Sequence, residues 1–230
     1  YKNEGNMGDN VVEMPVPETM MDEAKKYRAE LIEKIVENDE QMMTDYLDGK
    51  EPTLEALKAT LRKAVIANKI FPVYTGSALK NKGVQLVLDA VVDYLPSPVD
   101  MPAITGIDPR TGEVVTRHAS DSDPFCALAF KLQADPFVGQ LTFFRVYSGS
   151  IEAGSYIYNS TTGQRERLGR IVRLQANERE EVRRVYAGEI AAAVGLKDTK
   201  TSHTLCDEAN PIQLEQIKFP EPVISLRIEP

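Results

Sequence analysis

The stretch FCALAFKL (125–132) decides the fold, because Cys126, Leu128, Phe130 and Leu132 put an apolar residue at every second position. That period of two is the signature of one buried face of a β-strand. Short apolar runs continue downstream at 140–147, 155–159, 166–174 and 189–194, with Ser148-Gly149, Thr162-Gly163 and Ala187-Gly188 between them. Upstream, DPRTGE (108–113) has the proline-then-glycine layout of a hairpin turn. Many short strands at regular spacing predict a barrel or sandwich, here over 117–219, preceded by a linker or hairpin at 99–116. Pro96, Pro98 and Pro102 mark where the composition changes.

Before those prolines the period lengthens. Pro17-Glu18 opens a helix in which Ala24, Tyr27, Leu31 and Ile35 recur at helical spacing. Asn38-Asp39 suits a break and restart, Asp48-Gly49 a stop, and Pro52-Thr53 another start, with Leu54, Leu57, Leu61 and Val65 following. IFPVYTG (70–76) reads as a short apolar strand ended by glycine. A last helix is expected from Gly83 through Leu95, burying Val84, Val87, Leu88, Val91 and Val92. Residues 18–96 therefore read helix, helix, strand, helix, an α/β pattern ahead of an all-β one.

Composition excludes several classes. The chain has 230 residues, 42% hydrophobic and 27% charged, and its longest apolar runs are far too short to span a bilayer. Cys126 and Cys206 lie far apart in sequence and outside any C-x-x-C pair, and His118 and His203 are isolated, so no metal or redox pair is expected. Two small buried thiols in a cytoplasmic protein are the expectation. Charge is uneven: the balance is −9 over 1–57, +4 over 58–98 and −3 beyond. An acidic segment ahead of a basic one points to a charged partner for the former. Tyr1 opens the chain with no charged-then-apolar leader, and VISLRIEP (223–230) reads as a strand in progress, so a piece of a longer chain is expected.

VYTGSALKNKG (73–83) passes from an apolar strand through small residues into a helix, where ligands bind in open α/β sheets. The loop resembles the S-A-[LF]-K guanine motif of translational GTPases. KNKGVQLVLDAVVDYLPSP (80–98), DPFVGQLTFFRVYSG (135–149), ERLGRIVRLQANEREEV (166–182), AGEIAAAVGLKDTKTSHTLCD (187–207) and FPEPVISLRIEP (219–230) resemble, in order, the elongation factor G family. The resemblance implies an α/β segment, the end of a P-loop-type G domain plus its inserted subdomain, followed by an all-β translation-protein barrel. Its divisions would be 1–65 (partial insertion), 66–98 (end of the GTP-binding domain), 99–116, 117–219 (β-barrel domain II) and 220–230 (start of domain III).

The same resemblance implies the sites. Ser77, Ala78 and Leu79 would line the guanine, with backbone amides reading its oxygen. Glu33 and Glu37 belong to an acidic stripe with Glu30 and Glu40, and would contact the stalk protein of the large ribosomal subunit; Lys34 is the obvious i,i+4 partner of Glu30. Arg167, Arg170 and Arg173 would contact small-subunit ribosomal RNA. Positions three apart alternate on a strand, so Gly169 is expected to mark a bulge. Cross-strand pairing with Glu166, Glu178, Glu180 and Glu181 is the competing reading, and a solvated face is that of the acidic stripe. Phe143, Phe144 and Tyr147 are expected in the core.

This sequence has no G-x-x-x-x-G-K-[ST] and no D-x-x-G. Nothing in it would cradle phosphates or place magnesium and water. Asn81-Lys82-Gly83-Val84 imitates N-K-x-D but ends in valine and follows the Ser-Ala loop. GTP or GDP, with magnesium from other segments, is therefore expected only in the full-length protein, and no cofactor or metal for this piece. The expectation is a monomeric, non-catalytic, ribosome-interacting part of a GTPase that drives translocation, without a membrane role. A ribosomal-protection or release-type relative and a stand-alone binding module remain open alternatives.

Overall fold

The computed structural model describes residues 2–3, 11–12, 14–136, 138–176 and 178–218. They divide into two units, Tyr1–Pro96 and Ser97–Pro230. A helical segment is followed by a large antiparallel sheet, the order of classes expected from the periodicities.

In the first unit, strands β1 (Lys2–Asn3) and β2 (Val11–Val12) pair antiparallel ahead of a short 3-10 turn (Glu18–Met20) and, among the described residues, four α-helices. These are α1 (Met21–Val36), α2 (Glu40–Leu47), α3 (Leu54–Ile66) and α4 (Val84–Tyr94). Asp22 and Glu23 occupy the first turn of α1, where carboxylates favour the exposed N–H groups. The break falls where Asn38-Asp39 placed it. Asn38 Nδ2 donates to the Lys34 carbonyl at 2.9 Å, while the Asp39 carboxylate accepts the Met42 N–H at 3.0 Å and starts α2. Thr53 caps α3 in the same way, accepting the Ala56 N–H at 3.2 Å. Ile35, Val36 and Leu57 make a small core with Met42, Met43 and Leu61 against them.

Two expectations fail in this unit. Residues 70–76 form no strand; Phe71 and Val73 are exposed, at 72% and 88%. Nor is the apolar side of α4 buried: Val87, Leu88, Val91 and Val92 all face outward. The cause is common to both, since an apolar strand and its following helix need a sheet to cover them. Among the described residues of this unit the β1–β2 pair is the only sheet, and residues 70–76 pair with neither of its strands. Tyr27 and Leu31 of α1 are likewise exposed, leaving Ile35 as the buried member of that stripe.

The second unit opens with a hairpin, β3 (Ile104–Ile107) and β4 (Val114–Arg117). Its turn is the expected DPRTGE: the Asp108 carboxylate accepts the Arg110 N–H at 2.8 Å, and Gly112 takes φ 77°. Ile107 then exchanges both backbone hydrogen bonds with Gln213. The strands that follow are β5 (Cys126–Asp135), β6 (Gly139–Ser148), β7 (Ile151–Glu152), β8 (Tyr156–Asn159), β9 (Gln164–Arg167) and β10 (Arg170–Gln175). After them come β11 (Glu178–Val182), β12 (Arg184–Val185), β13 (Ile190–Val194) and β14 (Thr204–Cys206).

Eight of these form one antiparallel sheet in the order β11-β10-β13-β6-β5-β14-β8-β9. Strands β9 and β10 are consecutive in sequence yet near opposite ends of that order. Leu168-Gly169 joins them, and the sheet must curl to let two residues span it. Side chains from both ends meet accordingly: Ile157 of β8 and Ile171 of β10 share one core with Phe144, Val146, Leu168 and Leu205. Complete burial of Phe144 contributes about 1.5–3 kcal/mol relative to exposure.

The face of β5 differs from the expected one. Phe125, Ala127 and Ala129 enter the main core, while Cys126 and Leu128 join a second core with Cys206, Ile212 and Leu214. Alternation described one face correctly but ranked it wrongly, because small alanines on the other face also pack. Register shifts at Cys126/Ala127 and Ala129/Lys131 let consecutive residues be buried together.

Candidate interaction sites

Loop 75–83 is held shut by its own backbone. Ser77 and Lys82 exchange N–H to carbonyl hydrogen bonds at 2.9 Å each, Lys80 N–H donates to the Ser77 carbonyl, and Asn81 N–H to that of Ala78. Gly76 permits the closure, since a Cβ there would lie 2.5 Å from the Lys82 carbonyl oxygen. Among the described residues nothing accepts from the amides of Ala78 and Leu79, and the Leu79 side chain is 90% exposed. Two adjacent unsatisfied N–H groups at an exposed tip can meet a carbonyl-type acceptor.

Glu30, Glu33 and Glu37 are all exposed on or at the end of α1, and Glu40 starts α2 beyond the break. The ion pairs differ from the expected one. Lys34 reaches Glu37, at 3.1 Å, and Glu30 is approached by Lys26 at 4.0 Å. Among the described residues Glu33 is in no ion pair, so the stripe keeps an unneutralised carboxylate at its centre. Such exposed pairs move freely and screen readily.

The arginines separate. Arg167 ends β9 and Arg170 starts β10, so both flank the Leu168-Gly169 corner, and both are exposed. Gly169 lies in an interruption between strands, where a bulge within one strand was expected. Among the described residues neither arginine is in an ion pair. Arg173 stands apart: it faces Glu180 across the ladder at 3.4 Å and bonds Glu189 at 2.9 Å. Two carboxylates already occupy its donors, which reduces what it can offer a phosphate.

Glu166 does not pair with arginine. Its buried carboxylate accepts the N–H groups of Lys197 (2.8 Å) and Asp198 (3.0 Å) and the Thr199 hydroxyl. Asn159 Nδ2 donates onward to Thr199 Oγ1 at 3.2 Å and to His203 Nδ1 at 3.1 Å. Burial, first, and then Lys200 hold the His203 imidazole below its ordinary value, against a smaller opposing pull from Glu166. This polar cluster fixes loop 196–203 and escaped sequence reading, because its members come from three separate segments. Phe144 is fully buried and Phe143 and Tyr147 partly so.

Among the described residues no helix is long and apolar enough to cross a membrane, and no three His, Cys, Asp or Glu side chains converge as metal ligands would. Comparison with known proteins locates the second unit. Residues 124–208 match the family model described as elongation factor G domain 2. A crystal structure of a protein from Thermus thermophilus matches with a TM-score of 0.71 and 26% identity, over 93% of this chain. The chain spans 30% of that protein's length. The match within the β unit thus supports a translation elongation factor G-type domain over residues 124–208.

Proposed function

We propose that this chain is an interior piece of a ribosome-dependent translational GTPase of the elongation factor G type, which couples GTP hydrolysis to movement of tRNA and messenger RNA. The match of residues 124–208 to elongation factor G domain 2 carries the reading. The piece itself works in the cytoplasm as a monomeric, non-catalytic ribosome-interacting segment, since no phosphate-binding loop occurs in its sequence. Ser77, Ala78 and Leu79 contribute to guanine binding in the longer protein, where GTP or GDP and magnesium are held by other segments. The free amides of Ala78 and Leu79 support that assignment.

On the ribosome, Glu33 and Glu37 meet the stalk protein and the arginines meet small-subunit RNA. The uncompensated Glu33 supports the former role. Arg167 and Arg170, exposed beside one corner, support the latter better than the doubly paired Arg173 does.

Calorimetric titration of the chain with GDP and with the C-terminal domain of the stalk protein tests the proposal. Stalk binding that disappears in the Glu33→Lys, Glu37→Lys double variant, without GDP binding, is expected. Tight GDP binding would contradict the assignment of nucleotide holding to other segments, and stalk binding untouched by charge reversal would remove the acidic helix from the proposal.

A further inference from the structure

A cavity of about 560 Å³ opens inside the second unit, between the 98–105 segment and strands β4 to β6. Its walls are apolar where Met101, Pro102, Leu128 and Leu214 contribute. Two arginines, Arg117 and Arg145, also line it. Arg117 is only 8% exposed. Its Nη1 donates to the Thr116 carbonyl at 3.1 Å and its Nη2 to that of Asn210 at 2.9 Å, and its buried Nε has no partner. Arg145 also has a buried Nε without a partner, and its guanidinium lies 5.4 Å from the centre of the Tyr147 ring. Among the described residues neither is in an ion pair.

A guanidinium cannot shed its proton to relieve burial. Carbonyl oxygens satisfy some of its hydrogens but bring no net charge, and a buried cation without a counter-anion is strongly disfavoured. The neighbouring carboxylate, Glu215, lies at the cavity wall but is exposed and bonded to neither arginine. Among the described residues no carboxylate pairs with either guanidinium, and a bound anion would supply the missing charge. We infer that this cavity binds a small organic anion, a phosphate monoester or carboxylate carried on an apolar or aromatic body. The two guanidiniums receive the oxyanion through paired N–H donors, and the apolar walls receive the rest. The volume falls within the range of small-molecule sites. This site is independent of the ribosome-binding reading and of the 75–83 loop.

The test titrates the whole chain with phenyl phosphate, benzoate, inorganic phosphate and phenol, by calorimetry and by thermal unfolding. One saturable site for phenyl phosphate or benzoate is expected, raising the unfolding midpoint, tighter than for inorganic phosphate or phenol. The half-buried Arg145→Gln should weaken it by about tenfold or more, while Glu215→Gln should leave it equal or tighter. Arg117→Lys, which keeps the charge but loses the fork, should weaken it also. Absence of saturable binding, affinity unchanged by Arg145→Gln, or phenol binding as well as its phosphate would each overturn the inference. So would inorganic phosphate matching phenyl phosphate, which would mean an adventitious ion only. A drop in stability of Glu215→Gln without any ligand binding would overturn it too, by making Glu215 the counter-ion.

Discussion

Cys126 and Cys206 stand directly opposite each other across the β5–β14 ladder, both as free thiols and both shut off from solvent. Eighty positions of chain separate them, so only strand pairing makes them neighbours. Burial, first, and then the facing Cys206 push the Cys126 thiol up to about 12, and burial raises Cys206 as well.

Thiol reagents at neutral pH should therefore leave both cysteines unlabelled until the chain unfolds, since the thiolate is the reactive form. The sign of the pH dependence follows. Between the ordinary value of 9.0 and about 12 the unfolded state has lost a proton that folded Cys126 keeps, so stability falls as pH rises through that window. Urea titrations across it should show the fall, and Cys126→Ala should flatten it. Rapid labelling of native protein would mean that the β5–β14 ladder opens.

Gly149 takes φ 69°, and a Cβ there would sit 2.6 Å from the Asp123 carbonyl oxygen and from Phe125 Cα. Gly112 has a similar φ of 77° with nothing within 4 Å. Gly112→Ala should then cost only about 1 kcal/mol of backbone strain. Gly149→Ala adds a backbone clash and should cost roughly 3 kcal/mol. Equal urea midpoints for the two variants would refute the packing around β6.

Replacing Glu166 by Ala strands the Lys197 and Asp198 amides and the Thr199 hydroxyl. A loss of about 2–4 kcal/mol is expected, against a few tenths for Glu181→Ala, an exposed carboxylate on β11. Chemical denaturation measures both. If Glu166→Ala proved as harmless as Glu181→Ala, the carboxylate would not be anchoring loop 196–203.

His203 gives the opposite pH slope. Its Nδ1 accepts from the Lys200 N–H and from Asn159, both at 3.1 Å, so protonation breaks two hydrogen bonds. With its value held below 6.5, the unfolded state binds the proton first, and stability should fall as pH drops beneath that point. Unfolding midpoints at about pH 7.5 and about pH 5.5 should differ for the parent and converge for His203→Ala. Following the imidazole by NMR through the same range would expose a value at or above 6.5, which would end the argument.

Local signals were legible wherever the physics is local. Asn38-Asp39, Thr53 and Asp108 to Gly112 form caps and turns through atoms within a few residues, and the structure places each where the sequence put it. The order of a helical segment and a β unit was also readable from the change of period at Pro96. The strand expected at 70–76 and the expected burial of one side of α4 are absent because both depend on a covering surface, which periodicity presupposes but cannot supply. The bulge expected at Gly169 became a corner for a related reason: whether an interrupted strand continues or turns depends on which partners flank it.

The sequence by itself thus determined the helix caps at Asp39 and Thr53, the 108–112 turn and which residues resemble elongation factor G, since capping and turn chemistry act over a few positions. Tertiary structure alone decided that Cys126 meets Cys206, that Glu166 holds amides in place of arginines, and that Arg117 and Arg145 share a cavity. Those relations depend on strand order and register. Order and register are settled by the packing of the whole sheet, and no stretch of sequence contains that information on its own.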